Sequence, residues 1–188
     1  MSKSLFYIMS ERYKIMFNYG SVGGLLAFVW MMAIYFVGYS PYGLAMFSGI
    51  WIPALITFLS VRANSKTQLA QNGYPFARAF FDGVSTAFLT GLLKGMLAFT
   101  FFKLIATDFA DQYYAEQERL IAFLESANVS ASTQIDELKK ALELDKKNGF
   151  GAYRIVVGEI NKYFYTAVPF SIIAALIFKK PIRPNEQE

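Results

Sequence analysis

Apolar residues collect in four long runs instead of recurring once per helical turn. Phe17 to Val37, Gly43 to Val61, Ala79 to Ala106 and Tyr153 to Phe178 are each long enough to cross a bilayer, whose ~30 Å hydrocarbon core needs ~20 residues at ~1.5 Å rise. The first two runs hold no charged residue. A soluble domain built from such helices would lack the polar faces that wet its outside. The pattern therefore predicts an all-α fold, a four-helix transmembrane bundle forming a single integral membrane domain over residues 1–188.

The connections are equally patterned. Gly38-Tyr-Ser-Pro41 supplies turn chemistry that folds the first two runs into an antiparallel hairpin, and Asn72-Gly73-Tyr74-Pro75 does the same before the third. Residues 107–152 are predicted to form a helical hairpin outside the membrane. Phe109, Tyr113, Leu120 and Leu124 recur at helical spacing, as do Ile135, Leu138 and Leu142; Ser132 or Thr133 can cap the second helix and Asn148-Gly149 can end it. Its apolar faces must cover each other, the bundle, lipid headgroups or a partner. At the N-terminus, Leu5, Phe6, Ile8 and Met9 alternate with Lys3, Glu11, Arg12 and Lys14, as an interfacial helix or as a short cytoplasmic lead-in.

Charge sets the expected orientation. Basic residues flank the runs at the N-terminus (Lys3, Arg12, Lys14), in the second connection (Arg62, Lys66, Arg78) and in the C-terminal tail (Lys179, Lys180, Arg183). Short basic segments stay in the cytoplasm, so both termini are expected inside, and the acid-rich hairpin falls outside. The first run is longer than a signal-peptide core and no small-x-small site follows it, so it is expected to remain in the mature chain. Asn128-Val-Ser130 fits the glycosylation sequon, a triplet frequent by chance.

Composition narrows the chemistry. The chain is 55% hydrophobic and 18% aromatic, with 17% charged residues, against about a quarter charged in soluble domains. The formal charge of +4 does not mark a nucleic-acid binder, because the basic residues flank apolar runs instead of sharing one soluble face. Tyr35, Tyr39 and Tyr42 read as interfacial anchors. The absence of cysteine and histidine excludes disulfides, thiolate or imidazole metal sites, cysteine-attached haem and histidine-based triads. No phosphate-cradling loop, carboxylate metal motif or nucleophile elbow occurs, so no catalytic residue, metal or cofactor is expected.

The third run carries the most specific signal. Ala79, Gly83, Ala87, Gly91 and Gly95 mark every fourth position, a stripe suited to close helix packing within the bundle or between protomers; Gly20 and Gly24 form a shorter version in the first run. Lys94 lies on the flank of this stripe beside Thr90 and Thr86, so it should face protein. An unpaired charge at bilayer depth costs at least ~3 kcal/mol, and Glu159, in the outer half of the antiparallel fourth run, is placed to pair with Lys94 or Lys103. The pair reads either as a registry lock or as part of a proton or ion path; Glu159, Lys162 and Lys103 could instead snorkel to the outer headgroups. Asp82, one turn from Arg78, reads as a first-turn acid favoured by the helix dipole. Pro53 and Pro169 lie inside runs and predict kinks.

In layout the chain resembles the bacterial domain-of-unknown-function 4199 family of small inner-membrane proteins. The resemblance rests on the short first hairpin, the aromatic entry Gly73-Tyr-Pro-Phe-Ala-Arg-Ala79, the glycine-rich third span from Gly83 to Gly95, the acidic helical insertion from Asp108 to Asn148 and a last span ending in Lys179-Lys180. It implies a multi-pass protein of the bacterial inner membrane and carries over no catalytic residue. The leading expectation is a non-enzymatic structural or accessory subunit that associates with itself or a larger membrane-protein assembly through the third-span stripe and outer hairpin. The alternative is a small oligomeric transporter or ion-conducting protein using Lys94 and Glu159. Sensing through the outer hairpin is a third reading.

Overall fold

A computed structural model describes residues 3–42, 48–67, 70, 73–127, 132–149 and 151–181. The described residues form six helices and no strand: α1 (Lys3–Phe36), α2 (Trp51–Asn64), α3 (Phe76–Leu104), α4 (Phe109–Ser126), α5 (Ser132–Asn148) and α6 (Ala152–Phe178). Three stretches are long and apolar enough to cross a membrane, Glu11–Phe36, Phe76–Leu104 and Ala152–Phe178.

The second expected span departs from its predicted bounds. The helix there is 14 residues long, about 21 Å at ~1.5 Å per residue, and the predicted start at residues 43–47 lies outside the described residues. Pro53 falls in its first turn, where the missing N–H would have had no helical acceptor, so the kink expected there has no cause. Pro169 does lie inside α6. The N-terminal segment is helical: α1 runs unbroken from Lys3 into the first span, because no glycine or proline interrupts the chain before Gly20. The sequon and the C-terminal Arg183 lie outside the described residues.

Turns fall where their residues allow. Gly38 (φ +92°) ends α1 and Gly73 (φ +128°) precedes α3, both in backbone regions that a side chain resists.

α3 is the hub, packed on α1, α2 and α6. Its would-be partners are notched to receive it. A methyl group at Gly20 of α1 would stand 2.6 Å from Leu89 Cβ, and one at Gly24 would stand 2.9 Å from Leu93 Cβ. At one end of the bundle Met31, Ala98, Phe101, Phe102, Phe109 and Ile155 make an apolar cluster, with the rings of Phe102 and Phe109 stacked at 4.0 Å. At the other end Val61, Ala70, Tyr74, Ala79, Ala174 and Ala175 do so.

Between these ends the usual partition is reversed. Leu25, Val29, Phe81, Met96, Ile173 and Leu176 face outward, while Thr57, Ser60, Asp82, Thr90, Lys94 and Glu159 are buried. Water would penalise that distribution, and a hydrocarbon surround would not.

α4 and α5 pack against each other, with Leu120, Ile121, Leu124, Leu138 and Leu142 lining the groove between them. Phe109, fully buried, anchors α4 in the bundle. Lys139–Glu125 and Lys146–Glu118 bridge the two helices on their exposed side; such pairs contribute ~0–1 kcal/mol. Asp145 adds a tie to Arg154 at the start of α6.

Candidate functional site: a polar seam inside the bundle

The small-residue stripe of α3 decides where the polar groups go. A methyl group at Gly91 would lie 3.0 Å from the Glu159 carbonyl oxygen and Ile160 Cα, and one at Gly95 would lie 2.9 Å from Val156 Cα. At Gly83 it would meet Ser171 Oγ at 2.6 Å. With Ala79 and Ala87 also buried, the stripe is spent on α6 of the same chain. Of the two packings that the spacing allows, within the bundle or between protomers, these contacts are the first.

That close approach brings Lys94 and Glu159 together. Lys94 Nζ donates to Glu159 Oε2 at 2.7 Å, with side-chain exposures of 5% and 1%. Lys162, one turn along α6, stands 3.7 Å from the same carboxylate oxygen and remains partly exposed. Both ammonium groups lie over the Tyr163 ring, at 5.4 and 5.8 Å from its centroid. Lys103, in the last turn of α3, is exposed and is not brought to Glu159.

Asp82 belongs to a different constellation from the one its spacing suggested. It lies past the first turn of α3, and its carboxylate is fully buried. Arg12 of α1 forms an ion pair with it, donating from Nε at 2.6 Å, and the Tyr74 hydroxyl donates to its other oxygen at 2.7 Å. Arg78 turns instead toward the Gly73 carbonyl. Burial, then the adjacent Asp82 charge, pushes the Tyr74 phenol above its ordinary range, so it stays a hydrogen-bond donor.

The two centres are joined along one face of α3. Asp82, Thr86, Thr90 and Lys94 recur every fourth residue, all buried, and span ~18 Å of helix. Thr86 Oγ1 lies 2.7 Å from Ser60 Oγ of α2 and donates to the Asp82 carbonyl at 2.8 Å; Thr90 donates to the Thr86 carbonyl at 2.9 Å. Thr57 and Asn64 of α2 and Ser171 of α6 are also buried.

Two spaces flank the upper pair. Lys94 and Lys162 line a cavity of about 30 Å3, with Ile52 and Pro53 on its wall, room for a water molecule. Glu159 and Lys162 line a cleft of about 320 Å3 with Tyr42, Tyr113 and Arg154. The ion pair therefore stands between the cleft and the seam.

Sequence reasoning missed Arg12, Tyr42, Tyr74 and Tyr163. Tyr42, expected as an interfacial anchor, packs on Phe102 and Phe109 and reaches Glu159. None of these carries a local signal, because each acts on a carboxylate through tertiary contact.

The Tyr74 hydroxyl gives a direct test of the lower centre. Tyr74→Phe leaves a buried carboxylate short of one donor and is expected to cost about 1–3 kcal/mol, measured as a lowered melting temperature in detergent.

The described residues define the class: they are all-helical, with three helices apolar enough to cross a bilayer, wrapped around buried charge. The family model described as "Protein of unknown function (DUF4199)" matches residues 18–180, and the chain belongs to that family. No curated protein and no solved structure matches it.

Proposed function

We propose that the chain is a multi-pass protein of the bacterial inner membrane that moves an ion across the bilayer through the seam enclosed by α1, α2, α3 and α6. The observation that carries this reading is the series: Lys94, Thr90, Thr86 and Asp82 lie buried on successive turns of α3, with Glu159 bonded to Lys94 and Ser60 to Thr86. A lone ion pair would serve register alone, whereas polar residues in series are what a path requires.

In this reading α2, with the residues before it, makes a fourth crossing, and both termini are cytoplasmic. Contacts at one end of the bundle support that arrangement. Arg12 pairs with Asp82, Lys180 exchanges backbone hydrogen bonds with Tyr74, and the Lys180 ammonium donates to the Ser65 carbonyl. The basic N-terminal, second-loop and C-terminal segments thus share an end, as positive-inside insertion demands. Since the chain has no cysteine, single cysteines report topology cleanly. Lys147→Cys on the hairpin should react with an impermeant maleimide in intact cells, and Arg183→Cys only after permeabilisation; labelling of both from the same side would overturn the arrangement.

Purified protein in liposomes should dissipate an imposed ion gradient, and the double variant Lys94→Met/Glu159→Leu should not. Equal flux in both would remove the assignment. A second reading, a non-enzymatic accessory subunit, draws on the hairpin, where Phe123 (62%) and Leu144 (60%) are exposed. Its signature would be a stoichiometric partner in mild detergent that is lost on Phe123→Ser/Leu144→Ser, with no flux from the protein alone.

A further inference from the structure

The two charged centres have matching compositions. Below, one carboxylate (Asp82) is held by a cation from another helix (Arg12) and a tyrosine hydroxyl (Tyr74). Above, one carboxylate (Glu159) is held by Lys94, with Lys162 and Tyr42 beside it; Arg154 and Tyr163 stand nearby.

The seam between them is narrow and polar. Ser60 Oγ and Thr86 Oγ1 touch at 2.7 Å, one hydrogen bond apart. A metal cation passing there would have to part α2 from α3 and gather about six oxygens; a proton needs only a hydroxyl chain. Beside Gly83 the seam also contains buried polar atoms that make no hydrogen bond within the protein, Thr57 Oγ1 and Ser171 Oγ. Buried polar atoms of this kind bind water. Residues one turn apart on α3 stand ~5–6 Å from each other, a gap that one water bridges.

We infer that the seam is a hydrated proton relay running between Glu159 and Asp82, with the Arg12–Asp82 pair as its inner gate. This rests on the ion-moving function proposed above and names its ion. Each hop passes one proton from a donor oxygen or ammonium to an acceptor oxygen. The net transfer is one H+, with no electron and no other atom moved. Lys94, one turn beyond Thr90 on α3, donates to Glu159, and Glu159 opens onto the cleft beside Tyr42 and Lys162.

The test is flux into liposomes holding the full-length protein and a trapped pH dye, with parallel Na+ and K+ measurements under a fixed potential. Wild type should carry protons and no Na+ or K+. Ser60→Ala/Thr86→Val, which leaves every charge paired, should lower proton flux at least tenfold, and Arg12→Gln should raise it severalfold by freeing Asp82. Ser60→Ala alone should show a smaller loss should the double variant fail to purify as a monodisperse species. Undiminished proton flux in a folded hydroxyl variant, or unaltered flux in Arg12→Gln, would overturn the relay. Transport of Na+ or K+ without protons would reject the relay and leave the ion-moving function standing, whereas no flux of any ion would sink both.

Discussion

Glu159→Leu is expected to be the most damaging single side-chain truncation in the upper centre. It leaves Lys94 buried with no counter-charge, and removing one partner of a buried pair costs about 3–5 kcal/mol. Lys94→Met should cost less, because Lys162 is already 3.7 Å from the orphaned carboxylate and can take its place. The double variant Lys94→Met/Glu159→Leu should recover most of the loss, since two apolar side chains of similar bulk remove both desolvation penalties. Equilibrium unfolding in mixed micelles gives the coupling energy of the cycle. Read beside flux, the cycle separates two roles. If the pair only holds α3 in register with α6, the double variant regains both stability and transport; if it is part of the path, stability returns and transport does not.

Gly95→Leu is expected to prevent the fold from forming. Even the first carbon of the new side chain would stand 2.9 Å from Val156 Cα, and backbone cannot swing aside as a side chain does. The helices would have to separate, pulling Lys94 from Glu159 at the adjoining turn. Gly95→Ala should be milder, at about 1–3 kcal/mol of overpacking. Gly158 is the control: it lies on α6 with open space around the position of a methyl group, so Gly158→Ala should be neutral, or stabilising by about 0.5–1 kcal/mol. Yield of monodisperse protein and melting temperature report all three. Equal tolerance at Gly95 and Gly158 would show that α3 and α6 do not approach this closely.

What the sequence made legible is whatever depends on local pattern. The apolar runs gave three span-length helices to within a few residues at most ends, and the small-residue stripe marked the buried face of α3 because every fourth residue of a helix shares a face. Lys94 was readable for the same reason, as was Glu159, since antiparallel spans put it at matching depth. The lower centre was not readable. Arg12 and Asp82 lie 70 positions apart, and a near neighbour, Arg78, offered a plausible but unused partner. The stripe was visible while its occupant was not: the same spacing suits a contact within the chain or between chains, and only the placement of Val156 and Glu159 against it distinguishes them. The start of α2 was not readable, because hydropathy cannot see where a helix begins; Trp51 opens that helix well inside the second run.

The separation of Lys94 from Glu159 has a consequence for biosynthesis. The partner comes 65 positions later, and ribosomes add ~5–20 residues per second, so α3 waits about 3–13 s before its counter-charge has been made. During that interval a lysine must sit in or beside lipid with only α1 and α2 for company. Gly20, Gly24 and Ser60 are already synthesised by then, and α3 meets them through Leu89, Leu93 and Thr86. The order of segments along the gene thus supplies a shelter before it supplies the charge that needs one, and a chain with its first hairpin deleted should stall at insertion of α3 and not at the end of synthesis.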